Sequence, residues 1–288
     1  MRVKRWYLYL APAILVMVAL TIYPFVYNIV LSTQTWRMRG GNTFVGLNNY
    51  VKLLTSSDFH HALLITAIYL VAIISIEVIL GILLAFLLDS RKFFGQGAMK
   101  ALMLLPMVMA PVVVGLIWRW IFNAEWGLAN ALLQYIGQDG LPWLTTPKLA
   151  LVSVIIADIW QWTPFIGLIA LAGLQSIPPQ LREASRVDGA NWFQHQIHIS
   201  LPFLRSVLWV GLLFRLLDAL RLVDNVFVMT YGGPGNATTV LGFAAYVKAF
   251  KMWQLGYAAA FGIVLLFVTI FLARIVLKRS KIMEGAAS

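Results

Sequence analysis

Of 288 residues, 61% are hydrophobic and only 11% are charged, against roughly 25% charged residues in an ordinary soluble domain, so the composition is that of a membrane protein. The net charge of +11 does not point to nucleic acid, because Lys and Arg sit in short clusters beside long apolar segments instead of forming one basic face. Cysteine is absent, which excludes disulfides and thiolate metal sites.

A bilayer core takes about 20 apolar residues of helix, and six stretches reach that length: residues 8–31, 62–88, 99–122, 149–174, 203–230 and 257–277. Unsatisfied backbone groups are costly in lipid, and strict two-residue alternation is absent, so these are expected to be helices and not barrel strands. The expected class is all-α, with a single polytopic transmembrane domain over residues 1–288.

Arg2, Lys4 and Arg5 precede the first span in the manner of a signal peptide. Its apolar run is too long for an ordinary signal core, however, and no small-residue cleavage pattern follows, so it reads as retained. His60 and His61 abut the second span, which carries Glu77, a charge whose role the sequence leaves open. Trp118 and Trp120 end the third span, with Trp126 just beyond; tryptophan at that depth reads as an interfacial anchor. The fourth span holds Asp158 and the cluster Trp160, Gln161 and Trp162 beside Pro164, whose ring interrupts the helical ladder and is expected to free carbonyls toward a cavity.

A polar break over residues 178–202 follows. Pro178-Pro179 suits the first turn of a short helix, where a missing N–H costs nothing. Along that helix Leu181, Ala184, Ser185 and Asp188 recur on one face, and the small Ala184 and Ser185 would let a partner approach closely. Gly189 permits a turn that a Cβ would resist. Asn191 suits an N-cap, leading Trp192, Phe193, Ile197 and Ile199 back to the interface before Pro202. His195 and His198 read as docking polarity rather than metal ligands.

The fifth span contains Arg215, Asp218, Arg221, Asp224 and Asn225. An unpaired Arg or Asp at the bilayer centre costs about 2.5–3.5 kcal/mol on insertion scales, so these groups must face protein or water. Their spacing offers pairs within one helix: Arg215 with Asp218, Asp218 with Arg221, Arg221 with Asp224. Two readings stand: the ladder glues helices together, or it lines a path and holds a hydroxyl-rich solute through directional donors and acceptors.

Orientation follows from Lys and Arg near the span ends. Arg2, Lys4 and Arg5, then Arg91, Lys92 and Lys100, then Arg182, Arg186 and Arg205, and finally Lys278, Arg279 and Lys281 fall on one side if the chain crosses six times. The other side has the thinner set Arg37, Arg39, Lys52, Lys148, Lys248 and Lys251. Both termini and the 178–202 break are thus expected to be cytoplasmic.

Within that break Glu183-Ala184-Ser185, then Asp188-Gly189-Ala190, then an apolar run through Ile197 and Ile199 to Leu201-Pro202, resembles the EAA loop of importer-type ABC permeases. The resemblance implies the type I importer permease fold, with a cytoplasmic coupling helix seated in a cleft of an ATPase subunit. It assigns coupling to Glu183, Ala184, Ser185, Asp188, Gly189 and Ala190. Ser185 departs from the motif, whose third residue is usually Ala; being small, it is expected to be tolerated. No Walker A sequence, H-E-x-x-H or G-x-S-x-G motif is present. The chain is therefore expected to be no enzyme and to hold no cofactor, with ATP and Mg on separate subunits.

Across nearly its whole length the chain also resembles the maltose-type and trehalose-type sugar permeases. The resemblance is carried by Asp158-Ile159-Trp160, Thr163-Pro164, Ala172-Gly173-Leu174, the run from Phe214 to Arg221, Asp224-Asn225 and Gly232-Gly233-Pro234. It implies that the fourth and fifth spans hold the substrate, with Asp158, Trp162, Phe165, Arg215, Asp218, Ala219 and Leu222 at the contact positions; the polar neighbours Gln161 and Asn225 complete the expected set. An aromatic face can stack on a sugar ring while carboxylates and guanidinium fix its hydroxyls. The chain departs from the maltose type in lacking a large inserted outer domain and in carrying charged residues where that type has small polar ones.

By the same resemblance the working complex comprises a second, homologous permease, two ATP-binding subunits and an extracytoplasmic solute-binding protein in the cytoplasmic (inner) membrane. The expected solute is a sugar or sugar derivative; a polyol, glycerol phosphate or sulfonated glycoside is the alternative. Nucleic acid is not an expected partner. A stand-alone, ion-coupled sugar transporter using the fifth-span carboxylates is the runner-up, and a membrane-embedded enzyme lacks a nucleophile or metal cluster.

Overall fold

The computed structural model describes residues 3–36, 41–89 and 95–280. Of the basic residues used for orientation, Arg2, Arg37, Arg39, Arg91, Lys92 and Lys281, together with the side chains of Lys4 and Arg5, lie outside the described part. The described residues fall into two compact units, one drawn from the ranges 1–61 and 244–268, the other from 62–243 and 269–280.

In the first unit, α1 (Val3–Met17) passes through a π-helical turn (Val18–Ile22) into α2 (Tyr23–Ser32). The resulting apolar stretch, Tyr9–Ser32, is long enough to cross a bilayer, and none of its apolar window is buried within the chain. Two short antiparallel strands, β1 (Gln34–Thr35) and β2 (Thr43–Phe44), interrupt the all-helical expectation. Asn49, buried on α3 (Asn48–Leu54), ties them back by donating to the carbonyls of Ser32 and Gln34, both at 2.9 Å. Where α14 (Leu255–Ser280) begins, a Cβ on Gly256 would lie 1.9 Å from the Gln34 carbonyl oxygen, so only glycine fits there.

The second unit is built around α8 (Pro147–Gln175), more than half of whose apolar window is buried. It packs against α5 (Gln96–Val108), α6 (Pro111–Ile121), α11 (Leu201–Ala219) and α12 (Asp224–Met229). Residues of α4 (Ser57–Asp89), α8 and α11 share an apolar core that includes Ala85, Leu88, Ile166, Leu174 and Leu204. Small residues set the closest approach, since a Cβ on Gly81 would stand 2.8 Å from Ile166 Cγ2 and 2.9 Å from the Gly167 nitrogen. Membrane helices commonly pack this way, their backbones approaching where side chains are smallest. The remaining helices are α7 (Leu128–Tyr135), α9 (Pro179–Val187), α10 (Trp192–His195) and α13 (Leu241–Tyr246).

The expected third and fifth spans are both interrupted. Over residues 99–122 the chain forms α5 and α6, bent by 96°. Met109 and Ala110 are extended, with ψ of 141° and 136°, and the residue before Pro111 is driven out of the helical region by the proline ring. The expected 203–230 span stops as α11 at Ala219; after Leu220–Val223 the chain resumes as α12, with Asp224 in its first turn, where negative charge suits the helix dipole. Among the described residues five helices are long and apolar enough to cross a bilayer, or six if the bent pair is counted as one span.

Candidate functional site

The second unit contains a buried ionic cluster. Arg215, 1% exposed, reaches from α11 to α4, where its Nε donates to Glu77 Oε2 at 2.7 Å and its Nη2 to Glu77 Oε1 at 3.0 Å. Nη2 also donates to Asp158 Oδ2 of α8, and Nη1 donates to Asp218 Oδ2 at 3.3 Å. Glu77 and Asp158 are fully buried, whereas the Asp218 side chain is half exposed. The guanidinium carbon lies 5.3 Å from the centroid of Trp162, a cation–π distance. A buried charge survives only if paired and hydrogen-bonded, and three helices meet that demand here.

Beside the cluster is a recess of about 190 Å³, lined by Pro111, Asp158, Gln161, Trp162, Arg215, Asp218, Ala219, Arg221, Leu222, Val223, Asp224 and Asn225. Eight of the nine expected contact residues thus border one small cavity. The ninth, Phe165, lines a larger, mostly apolar groove of about 800 Å³ with Trp162, Ile169, Val210 and Phe214; Arg215 and Asp218 border both. The Phe165 ring stands perpendicular to Trp162 at 6.1 Å. The break between α5 and α6 brings Pro111 to the recess and leaves the Met109 carbonyl free to accept from Gln161 Nε2 at 3.2 Å. Irregular backbone at membrane depth is tolerated where it is covered by protein or lines a cavity.

The expected intrahelical ladder is replaced by a cross-helix one. Arg215 does meet Asp218, but its buried partners are Glu77 and Asp158, and the end of α11 takes Arg221 and Asp224 off the common helix face. Asp218 and Arg221 are linked through backbone, the Arg221 N–H donating to the Asp218 carbonyl at 2.9 Å. Glu77 is the residue whose role sequence could not assign; the only signal was its charge inside an apolar run. α8 runs unbroken through Pro164, and beside the site the Met109 carbonyl accepts from Gln161. Trp118 packs on Phe122 and Trp160 at 5.2 and 5.8 Å, while Trp120 and Trp126 remain more than half exposed.

The second candidate surface is the 178–202 loop. Pro179 opens α9, which ends where Gly189 takes φ +74°, with the Ala190 N–H donating to the Ser185 carbonyl at 2.9 Å. Asn191 caps α10 in a reciprocal box with Gln194, both bonds 2.9 Å, before a π-helical turn (Gln196–Ser200) leads into α11. Arg182 braces the loop from beneath: it pairs with Asp89 at 3.0 Å and donates to the Leu174 carbonyl at 2.7 Å.

Glu183, Ala184, Asp188 and Gly189 are exposed and Ala190 is half-buried, but Ser185 is buried. Its hydroxyl shares a hydrogen bond with His195 Nδ1 at 2.7 Å and donates to the Arg182 carbonyl at 2.9 Å. The expectation that Ser185 faces a partner is therefore corrected: its side chain is buried and its hydroxyl bonds within the loop, to the Arg182 carbonyl and the His195 ring. Val187, 87% exposed, and the exposed rings of Trp192 and Phe193 add an apolar element to the outer face of the loop. Val187 belongs to no motif; its signal in the sequence is that of an isolated aliphatic residue in a polar loop. Among the described residues, no group of acidic or His side chains is placed to hold a metal ion.

A family model described as binding-protein-dependent transport system inner membrane component matches residues 77–281. The chain is 40% identical over 252 residues to a probable ABC transporter permease of Sinorhizobium fredii, covering 86% of this chain and 81% of that one. It is 38% identical over 220 residues to the trehalose/maltose transport system permease MalF of Thermococcus litoralis, covering 76% and 74%. Among solved structures, a chain of the bacterial alginate ABC transporter in complex with an alginate pentasaccharide-bound periplasmic protein superposes with a TM-score of 0.85 at 24% identity, over 96% of this chain and 95% of that one.

Proposed function

The chain belongs to the family of binding-protein-dependent transport system inner membrane components and has the fold of a type I ABC importer permease, and from that premise we propose that it carries a sugar or sugar derivative across the membrane through the recess between α8 and α11. The observation that supports this reading is the recess itself, where carboxylate, amide and guanidinium groups border an indole ring. Such a wall complements a carbohydrate, whose hydroxyls need directional partners and whose ring faces are apolar. The trehalose/maltose description of the Thermococcus relative favours the same class.

The 178–202 loop transmits the ATPase stroke, with Glu183, Ala184, Asp188 and Gly189 at the docking surface and Ser185 and Ala190 fixing the shape of the turn. The chain does not hydrolyse ATP itself. It pairs with a homologous permease on two ATP-binding subunits, receives solute from a binding protein outside the cytoplasmic membrane, and keeps both termini inside. Solute crosses as packed helices rock about a midplane site.

The test is uptake by the reconstituted complex with its binding protein, offered neutral disaccharides, polyols and glycosides. Trp162→Ala should raise KM for a ring-bearing solute about tenfold, from the loss of stacking and of the indole over the guanidinium. Equal kinetics in variant and parent would remove the recess from the pathway.

A further inference from the structure

Resting on the carbohydrate reading above, we infer that Glu77 disarms Arg215, so that the recess accepts neutral hydroxylated solutes and rejects anionic ones. A buried arginine beside a cavity ordinarily suggests an anion site, because its fork matches a carboxylate, sulfonate or phosphate in bidentate fashion. Here the fork is already occupied. Of the five N–H donors of a guanidinium, Nε–H and one Nη2–H go to Glu77, the other Nη2–H goes to Asp158, and one Nη1–H goes to Asp218. One Nη1–H remains, and Trp162 covers a face of the group. No paired edge is left for an incoming anion.

The surrounding charge acts in the same direction. Glu77, Asp158, Asp218 and Asp224 place four carboxyl groups in or behind the recess against the two guanidiniums of Arg215 and Arg221. The carboxyl groups thus outnumber the guanidiniums two to one, and a solute anion would be brought among oxygens of its own kind where screening is weak.

The polar atoms left without partners favour hydroxyl groups. Gln161 and Asn225 are each 1% exposed and border the recess, yet Gln161 Oε1 and both polar atoms of the Asn225 amide have no hydrogen-bond partner among the described residues. Free acceptors need protons, which a sugar hydroxyl supplies and a carboxylate or sulfonate does not. The Asn225 amide N–H groups can donate to the oxygen of the same hydroxyl. The volume of about 190 Å³ holds roughly six waters at about 30 Å³ each, room for one ring at most. Any further part of the solute extends along the aromatic groove past Trp162 and Phe165.

Glu77 is on this account a positioning residue: it touches Arg215 and not the solute. The experiment compares trehalose with its analogue in which one C6 hydroxymethyl is oxidised to carboxylate. Binding to the assembled transporter is measured in nanodiscs without the binding protein, so that the permease alone discriminates. The parent should bind the carboxylate analogue at least tenfold more weakly than trehalose. Glu77→Gln, which keeps the shape and removes the charge, should narrow that ratio severalfold. Because Glu77 is buried and its loss could impair assembly, Asp218→Asn, at a half-exposed position, provides a second variant expected to narrow the ratio as well.

A parent that prefers the carboxylate analogue overturns the inference and leaves the carbohydrate reading standing. Variants that weaken both ligands equally overturn the role of Glu77, showing it to be structural only. Failure of the parent to bind either sugar overturns the carbohydrate reading and this one together.

Discussion

Single side chains carry most of the chemistry in this chain, and they differ in how openly the sequence declared them. Ionisable residues inside apolar runs were conspicuous because lipid penalises them, and Asp158, Arg215 and Asp218 do border one recess. The partner of Arg215 was hidden, since Glu77 lies 138 residues away and no local spacing connects them. Helical arithmetic could propose only near neighbours such as Asp218 and Arg221. Ser185 illustrates the same limit, because its size was legible but the direction of its hydroxyl was not. Ser185→Ala should leave assembly intact and cost about 1 kcal/mol locally, the net worth of one hydrogen bond. The freed helix should then move less solute per ATP hydrolysed; an unchanged ratio of transport to hydrolysis would mean that the Ser185–His195 bond does not stiffen the stroke.

Elements were legible where length and hydropathy decide, and misread where backbone geometry does. The second, fourth and sixth spans appear as α4, α8 and α14 close to the expected bounds. The third span was expected to be continuous because its hydropathy is continuous; the two extended residues ahead of Pro111 break it. The fifth span was drawn through to residue 230, yet α11 ends at Ala219. Both breaks border the recess, through Pro111 on one side and Leu222, Val223 and Asp224 on the other. The backbone of the 178–202 loop was easier to read, because proline, glycine and asparagine each mark a backbone state by themselves. At Gly189 the space for a side chain is open but φ is +74°, so the obstacle to substitution is conformational and not steric. Gly189→Val, β-branched in the left-handed region, should therefore unseat the turn after α9 without disturbing the membrane helices. The expected outcome is a complex that assembles while solute-bound binding protein no longer stimulates its ATPase. Normal stimulation would show that the turn is not part of the transmission.

At the scale of the molecule, composition and segment length established the class, and the ordered loop motif established the kind of machine; neither could say which charges meet. Family membership separates an ATP-driven importer from an ion-coupled carrier, and the distinction is measurable. Uptake into proteoliposomes with internal ATP should persist when proton and sodium gradients are collapsed by ionophores, and should stop when ATP is withheld. Loss of uptake on adding ionophore would return the carboxylates of the recess to the role of ion carriers.

The first span, none of whose apolar window is buried within the chain, has a consequence of another kind. A helix that buries only its final residue, Ser32, in a shared interior is selected over most of its length for how greasy and how long it is, not for the shape of each residue. Over Tyr9–Ser32, exchanges among Leu, Ile, Val and Phe should pass unnoticed through generations, while a comparable exchange at Ile166 or Leu174 would be purged. Divergence along this chain should thus be uneven, fastest where it enters the bilayer first.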